Sequence, residues 1–377
     1  MFFNHIITMN NIKSFNQETR KNLFNDLEFL KQIQYIGGAW QSYDEKNYND
    51  GIIKVCSNDS CENFNYVYAD NNKEITQKDL EYVNSLKIPT WCKYAWIDKK
   101  HKTNLLAIWH DKRKKKQYIY SKEHKDKASK EKFDNLKLFI SLLPKFKNLI
   151  DKYENPKDLS LNSILALMAH IILLTGIRAG KEFHRQRSNS YGLTSLRRKH
   201  IELMENKKKN KKFIRLSFIG KSKQHHVHDI YDEKIVEFIT NLYNEGTKKR
   251  LDPDDKIFMC FSKDNYLMGI NEHHLNNFIH DNLNPKIVIK DIRTFVANYT
   301  LILNIKKILT KDSYTRPQMK KLLTEAVKQT ADFIQHTPTI CKTSYLNPNI
   351  LLVFMNDYQY FYKNRNEDSL VLLNSLI

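Results

Sequence analysis

The feature that most constrains the fold is one long apolar segment near the middle of the chain, LNSILALMAHIILLTGI at residues 161–177. It contains Asn162 and His170, and it falls short of the roughly 20 apolar residues that a membrane-spanning helix needs. A helix that is apolar on most of its sides has to be enclosed by other parts of the protein. The segment therefore predicts a buried helix inside a sizeable domain.

The sequence on both sides of this segment extends a mainly helical domain. KEKFDNLKLFISLLPKFKNLIDKY, which starts at Lys130, has apolar residues at helical spacing, and we expect Pro144 to kink or end that helix. KKFIRLSFIGKSKQHHVHDI, residues 211–230, alternates as a β-hairpin does and has GKSK as its turn. Most of the remaining chain to the C-terminus is predicted to be helical.

The first third of the chain has a different character. QETRKNLFNDLEFLKQIQYI, residues 17–36, predicts an amphipathic helix, and FNYVYADNNKEIT, residues 64–76, predicts a hairpin around Asp-Asn-Asn. QKDLEYVNSLKIP predicts a helix that Pro89 stops, and KYAWID and NLLAIWHD predict strands. We expect KASKEK, residues 127–132, to be a basic linker to the next domain.

These patterns divide the 377 residues into three parts. Residues 1–62 are an N-terminal extension of unknown role, residues 63–128 a small β-rich domain, and residues 129–377 a mainly α-helical domain with a β-hairpin. The predicted fold class is therefore α+β, and a chain of this length suffices for two domains.

The charge of the chain indicates its partner. Lys and Arg number 62 against 42 acidic residues, a formal net charge of +20, which favours a polyanion: nucleic acid first, an anionic membrane surface second. The basic stretch around Tyr118 and Tyr120 predicts a surface that contacts DNA phosphates, although a solvated charge run beside an ordinary strand is the alternative. The N-terminus lacks the pattern of a secretory segment.

The five cysteines are odd in number and widely spread, which favours a reducing, intracellular compartment without a disulfide framework. Cys56 and Cys61 could pair or bind a metal, but no second pair of ligands has suitable spacing. The sequence also contains neither an acidic cluster suited to a metal nor a Walker-type glycine loop. We therefore predict a protein that needs no cofactor.

Five residues of the second domain form a set with a coherent chemistry. Two arginines can hold the oxygens of a phosphodiester with paired donors, and a histidine can add a third hydrogen bond. A tyrosine hydroxyl is a candidate nucleophile that forms a phosphotyrosine. A lysine on a hairpin turn is a candidate proton donor to the leaving oxygen, a role worth about 10²–10⁴-fold. The five residues are Arg178 in TGIRAGK, Lys221 in IGKSK, Arg293 in KDIRT, and His336 and Tyr345 in QHTPTICKTSYLNP.

Each of the five residues also has an ordinary structural explanation. An arginine at a helix end is usually a surface charge or a cap, and a lysine in a hairpin turn usually serves solubility. His336 before Thr-Pro could be a cap, and Tyr345 alone could be a packed aromatic. The prediction therefore depends on the whole set.

The ordered motifs resemble those of type IB DNA topoisomerases, especially the compact viral and bacterial kind typified by poxviruses. The resemblance runs from about Phe64 to the C-terminal region. It is carried by EITQKDLEYVNSLKIPTWCKYAWI, DKRKKKQYIYSKEH, KEKFDNL, TGIRAGKEF, YGLTSLRRKHIEL, FIGKSK, KDIRTFVANYT and VKQTADFIQHTPTICKTSYLNP. The first 62 residues have no counterpart in the compact enzymes.

The resemblance implies a role for each member of the set. Tyr345 would attack DNA and form a 3′-phosphotyrosine, and Arg178, Arg293 and His336 would stabilise the transition state. Lys221, with Arg178, would protonate the leaving 5′-oxygen. The free strand would swivel and be rejoined, without ATP or a divalent metal. The resemblance also implies a monomeric, C-shaped clamp on double-stranded DNA, with DNA contacts from Gln117, Tyr118, Tyr120 and Lys181.

Three other functions compete with this interpretation. A tyrosine recombinase uses a similar set, but its second arginine motif usually reads His-x-x-Arg, whereas Lys290 stands three residues before Arg293 here. A basic DNA-packaging protein that lost its activity would not be expected to keep all five residues. An RNA-binding module would be expected to show aromatic recognition motifs that this chain lacks. The Lys-, Asn- and Ile-rich composition suggests an AT-rich genome. If that genome is viral, the expected location is the virion or a cytoplasmic viral factory.

Overall fold

The computed structural model describes residues 50–56, 64–100, 103–112, 115–206, 211–261 and 267–377. The chain divides into two compact units, residues 1–128 and 129–377. The helix predicted at residues 17–36 lies outside the described residues, and so does Cys61. Cys56 is disulfide-bonded, whereas Cys92, Cys260 and Cys341 are buried and form no disulfide.

The first unit is an antiparallel sheet in the order β2-β1-β3-β4-β5 with one helix packed on it. Ile52, Ile97 and Ala107 of the sheet pack with Val83 of the helix, which begins at an N-cap formed by Thr76. The other face of the sheet carries Trp96, Tyr118 and Tyr120. The elements are β1 (Gly51–Cys56), β2 (Phe64–Tyr68), α1 (Gln77–Ser85), β3 (Ala95–Asp98), β4 (Leu105–His110) and β5 (Lys116–Tyr120).

The hairpin predicted at residues 64–76 is wrong in its second strand. β2 pairs with β1 along its length, and only an isolated bridge joins Val67 to Glu74. The true partner of β2 is β1 (Gly51–Cys56), which precedes β2 in the chain. This pairing is favoured because it places Ile52 in the core.

The second unit is built around the buried segment that was predicted from its apolar run. This segment forms α3 (Leu161–Thr175), and ten of its residues are buried. Before it lies α2 (Lys122–Tyr153), a helix of 32 residues. The remaining helices are α4 (Glu182–Ser188), α5 (Glu233–Lys248), α6 (Glu272–Asn282), α7 (Ile289–Ile308), α8 (Arg316–Phe333), α9 (Pro338–Ser344), α10 (Pro348–Asn356), α11 (Tyr358–Lys363) and α12 (Ser369–Leu376).

Two expectations about α2 are wrong. The helix starts at Lys122 rather than near Lys130, and KASKEK is helical rather than a linker. Pro144 lies inside the helix, so it does not end the helix, and a kink at this position stays a prediction. Phe139, Leu143 and Phe146 are buried on both sides of the proline, and their packing offsets the roughly 3 kcal/mol that an interior proline costs.

The predicted hairpin at residues 211–230 is confirmed. It consists of β7 (Lys211–Ile219) and β8 (His225–Ile230), joined by a 3₁₀ turn at Lys221–Lys223. An unpredicted strand, β6 (Ile201–Asn206), pairs with β7 and completes a three-stranded antiparallel sheet. A second unpredicted pair, β9 (Met259–Phe261) and β10 (Leu267–Gly269), interrupts a region that was expected to be helical.

Candidate active site

Arg178 lies in a loop whose path is fixed by glycines. α3 ends at Gly176 in the left-handed region, φ 63°, where a side chain would be strained. Two residues after Arg178, Gly180 has φ 85° and its Cα lies so close to Gly192 that an added Cβ would be 2.7 Å from the Gly192 Cα. The Arg178 carbonyl accepts a hydrogen bond from the Leu193 amide at 2.8 Å. The glycine contacts and the hydrogen bond to the Leu193 amide therefore fix the backbone that carries Arg178.

Arg293 projects from the second turn of α7 into the interior. Its side chain is 3% exposed, and Nη2 donates a hydrogen bond to the Ile334 carbonyl at 2.8 Å. Nε and Nη1 are buried and have no hydrogen-bond partner among the described residues. Burial lowers the pKa of Arg293 to about 10, which leaves the guanidinium charged near neutral pH. The site thus contains a fixed cation with donors that are still unused.

Tyr345 lies at the C-terminal end of α9, and its backbone is tied to α7. The Asn298 side chain, fully buried on α7, donates a hydrogen bond to the Tyr345 carbonyl at 2.9 Å and accepts one from the Asn347 amide at 2.7 Å. On the other side, Lys132 Nζ donates to the Ser344 carbonyl at 3.1 Å. Bonds to two helices therefore fix where the tyrosine ring emerges.

The rings and cations of the site converge on Tyr345. Cζ of Arg293 lies 5.1 Å from the centroid of the Tyr345 ring, and the His336 ring lies 5.2 Å from it, centroid to centroid. Arg178 Nη2 contacts His336 Nε2 directly. Burial raises the pKa of Tyr345, but the charges of Arg293 and Arg178 outweigh it, so that the pKa is lower than usual. A phenol in this position loses its proton more easily than one in water.

His336 is neutral in this environment. Burial and the charges of Arg178, Arg293 and Lys221 lower its pKa to about 3. A neutral imidazole has one donor and one acceptor nitrogen, so it can hydrogen-bond to an anion without adding a charge. The backbone just before it is unusual, because Gln335 has φ 54° and its side-chain amide donates to the Val227 carbonyl of β8. That bond links the three-stranded sheet to the segment that carries His336.

Lys221 stands on the turn between β7 and β8, where its side chain is exposed. Ser222 and Lys223 have positive φ, 65° and 59°, which gives the turn its tight shape. The strand that follows the turn is bonded to the segment of His336 through Gln335 and the Val227 carbonyl, and Lys221 is one of the charges that lower the pKa of His336. The structure therefore brings together all five residues of the predicted set.

The residues predicted to contact DNA occupy two places. Gln117, Tyr118 and Tyr120 lie on β5 of the first unit, where the two tyrosine rings stack 6.3 Å apart and Gln117 Nε2 donates to Asp111 at 3.1 Å. Lys181 directly precedes α4 in the second unit, is exposed, and lies 3.5 Å from Glu272. All four therefore remain candidates for DNA contacts.

Three residues that shape the site were not predicted from the sequence. Asn298 and Lys132 hold the backbone around Tyr345, as described above. His226, on β8, is buried, and its pKa is lowered to about 4 by burial and by the charges of Arg178, Arg293 and His225. A usable sequence signal existed only for His226: it alternates with exposed residues in HHVHDI, which places it on the buried face of the predicted hairpin.

Two further features of the described residues concern metals and membranes. Within the described residues, no three His, Cys, Asp or Glu side chains are grouped so as to hold a metal ion. None of the helices in the described part of the chain is long and apolar enough to cross a membrane.

Comparison with known proteins gives the family. Residues 121–365 match the family model described as eukaryotic DNA topoisomerase I, catalytic core. The chain is 32% identical over 338 residues to the DNA topoisomerase 1B of Acanthamoeba polyphaga mimivirus, covering 88% of this chain and 96% of that protein. It is 26% identical over 277 residues to the DNA topoisomerase 1B of Vaccinia virus (strain Copenhagen), covering 72% of this chain and 80% of that protein.

These matches and the α+β fold define an isomerase that acts on DNA. The chain belongs to the type IB DNA topoisomerase family, and its function is DNA relaxation of the type IB kind. Its relatives in these comparisons are viral proteins. The recombinase, packaging and RNA-binding alternatives are therefore set aside.

Proposed function

We propose that Tyr345 is the nucleophile that cuts one strand of double-stranded DNA. The observation that carries this proposal is that the Tyr345 ring lies close to both Arg293 and His336 and has its pKa lowered by two arginines. In the proposed step Tyr345 loses its phenolic proton to solvent, its oxygen attacks phosphorus, and the bond from phosphorus to the 5′-oxygen breaks. The products are a 3′-phosphotyrosine and a strand that ends in a 5′-hydroxyl.

Arg178, Arg293 and His336 would bind the phosphodiester that Tyr345 attacks. Negative charge accumulates on the equatorial oxygens in the transition state, and donors fixed in advance stabilise it without reorganisation. Nε and Nη1 of Arg293 have no partner among the described residues, so they are available for these oxygens. Arg178 and His336 contact each other, so both side chains are placed to bind the same phosphate.

Lys221 would protonate the 5′-oxygen as it leaves, together with Arg178. An alkoxide is a strong base and leaves slowly without a proton. The Lys221 side chain stands on an exposed turn over the site, which suits a group that must meet DNA from outside. When the 5′-hydroxyl attacks back, the lysine accepts the proton, so the same residues run the reverse step and no nucleotide is consumed.

The rest of the chain would serve DNA binding. We propose that residues 63–128 form a DNA-binding domain using Gln117, Tyr118 and Tyr120, that Lys181 adds a contact, and that residues 129–377 are the catalytic domain. The formal charge of +20 supports a phosphate-rich partner. We further propose a monomer on DNA, acting without a metal in the virion or a cytoplasmic viral factory; the C-shaped clamp stays a prediction.

The test is relaxation of a supercoiled plasmid in EDTA without ATP, by the parent protein and by Tyr345→Phe. We expect relaxation and a covalent protein–DNA adduct with the parent, and neither with the variant. Tyr360→Phe is the matched control, because it also removes a hydroxyl, one that lies 2.8 Å from Ser375 on the C-terminal helices. Relaxation by Tyr345→Phe at the parent rate would exclude Tyr345 as the nucleophile.

A further inference from the structure

His226 has no evident structural reason to be a histidine. Its side chain is 4% exposed, and neither ring nitrogen has a hydrogen-bond partner among the described residues. A buried polar group without a partner costs free energy, whereas an apolar ring would fill the same space at no such cost. Unpaired nitrogens at this depth therefore point to a partner that binding or reaction supplies.

The position of His226 on the hairpin is specific. It pairs with Phe218 across the sheet, and the two rings stack with centroids 5.1 Å apart and planes at 21°. The edge of the ring lies directly against Gly220, since a Cβ added there would be 2.3 Å from His226 Nε2. Gly220 immediately precedes Lys221 in the chain. The imidazole thus supports the start of the turn that carries the lysine.

The charges of the site act on the His226 ring. Arg178 and Arg293 are among the charges that lower its pKa to about 4, so the imidazole is neutral near pH 7. It then carries one donor and one acceptor nitrogen, and the acceptor suits an ammonium group, which has donors only.

We propose that His226 is a positioning residue that sets where Lys221 meets the leaving 5′-oxygen, by supporting the turn at Gly220 and offering a nitrogen to the Lys221 ammonium as the turn closes on DNA. The inference rests on the proposed role of Lys221 as proton donor. It assigns to His226 an effect that acts through the lysine and does not involve the phosphate oxygens.

A leaving group that needs no proton separates this role from a merely structural one. The substrate is a DNA duplex built around a cleavage site mapped with the parent protein, in two versions: one with the ordinary 5′-oxygen, one with sulfur in its place. A thiolate leaves without protonation, so a defect confined to proton donation disappears with sulfur. Single-turnover cleavage is measured for the parent, Lys221→Ala and His226→Phe, which keeps a ring on Phe218 but removes both nitrogens.

We expect His226→Phe to cleave the oxygen substrate at least about tenfold more slowly than the parent and the sulfur substrate within about threefold of it, because part of a general-acid effect of about 10²–10⁴-fold is lost. Lys221→Ala should show the same pattern more strongly. His226→Gln, whose amide oxygen can accept a hydrogen bond near the position of Nε2, should recover part of the cleavage rate on the oxygen substrate. His228→Phe is the matched control, since His228 is also buried on β8 but lies opposite Leu216, one pair further from the turn.

A second variant changes the contact between Gly220 and the His226 ring at the glycine. Gly220→Ala places a methyl group against the His226 ring, so it should reproduce the defect on the oxygen substrate. In a His226→Ala background the methyl group has room, and Gly220→Ala should add no further loss.

Three outcomes would overturn the inference. In the first, His226→Phe slows cleavage of both substrates equally. In the second, His226→Phe cleaves the oxygen substrate within about threefold of the parent rate. In the third, Lys221→Ala cleaves the sulfur substrate as slowly as the oxygen substrate. The last outcome removes the role of Lys221 itself. Absence of any covalent adduct with the parent protein would instead contradict the proposed function, so the two failures are distinguishable.

Discussion

Arg293 lies over the face of Tyr345, with its Cζ 5.1 Å from the ring centroid, while its Nη2 is held by the Ile334 carbonyl two residues before His336. One guanidinium thus contacts both the tyrosine and the segment that carries the histidine. Its charge is also a principal reason why the pKa of Tyr345 is lower than usual despite burial.

Removing this charge should therefore change both the rate of DNA cleavage and its dependence on pH. We expect Arg293→Gln to slow single-turnover cleavage by about 10²–10³-fold, as loss of a transition-state donor does. Without the cation the pKa of Tyr345 rises, so the rising limb of the pH–rate profile should move to higher pH. The control is Arg215→Gln on β7, where the arginine pairs with Asp229 at 2.7 Å on the exposed side. An unchanged inflection would contradict the assignment.

Asn298 should matter although it does not contact DNA in the proposed reaction. Asn298→Ala leaves the Tyr345 carbonyl and the Asn347 amide without the bonds described above, and each buried group left unpaired costs about 1–3 kcal/mol. We expect lower stability toward urea and cleavage slowed by at least about tenfold, because small displacements of reacting groups are costly. Asn304→Ala on the same helix removes one bond, to Thr330 at 3.0 Å, and should leave cleavage nearly unchanged.

Gly180 should tolerate no side chain. Gly180→Ala places a methyl group 2.7 Å from the Gly192 Cα and requires φ 85°, a conformation whose strain alone costs about 1–3 kcal/mol. We expect a lower melting temperature and slower cleavage, since the Arg178 carbonyl is bonded in the same stretch. At Gly269 an added methyl group meets only the flexible Lys256 side chain, at 3.1 Å, so Gly269→Ala should be near neutral. Equal effects of the two variants would show that the loop is adaptable.

Acid should destabilise the protein through its buried histidines. Burial lowers the pKa of His200, His226 and His228 to about 4 in the folded state, against an ordinary value of 6.5. Between these values the unfolded chain binds more protons, so stability is fully present above pH 6.5 and is lost as the pH falls toward 4, by about 1.4 kcal/mol per pH unit for each histidine. Urea unfolding at pH 7, 6 and 5 measures how the free energy of unfolding changes with pH. His228→Phe should reduce that change by the contribution of one histidine, about 1.4 kcal/mol per pH unit. A flat profile in the parent would contradict the prediction.

Sequence periodicity was sufficient for elements whose packing is local. The apolar run at residues 161–177 specified a buried helix, and the alternation at residues 211–230 specified a hairpin with Lys221 at its turn. The α+β class followed from the same patterns. Ordered motifs then identified the family, which no single residue would have done.

Elements whose structure depends on partners far away in the chain could not be predicted from local sequence patterns. The partner of β2 had to be chosen between two flanking segments, and burial of Ile52 decided it. Pro144 remains in a helix because the core holds the residues around it. Asn298 and Lys132 gained their roles only when α7, α2 and the end of α9 came together, and nothing in their local sequence indicates this.

The tether from Asn298 to Tyr345 has a consequence for how torsion would be released. In the proposed reaction the cut 3′ end is joined to a tyrosine whose backbone is bonded to α7, the helix that also carries Arg293. That end therefore cannot follow the rotating duplex, and only the strand bearing the 5′-hydroxyl is free to turn. The number of turns lost per cut would then be set by torque and friction in the DNA and by the waiting time before rejoining. The protein itself would not fix the number of turns released in each cycle of cutting and rejoining.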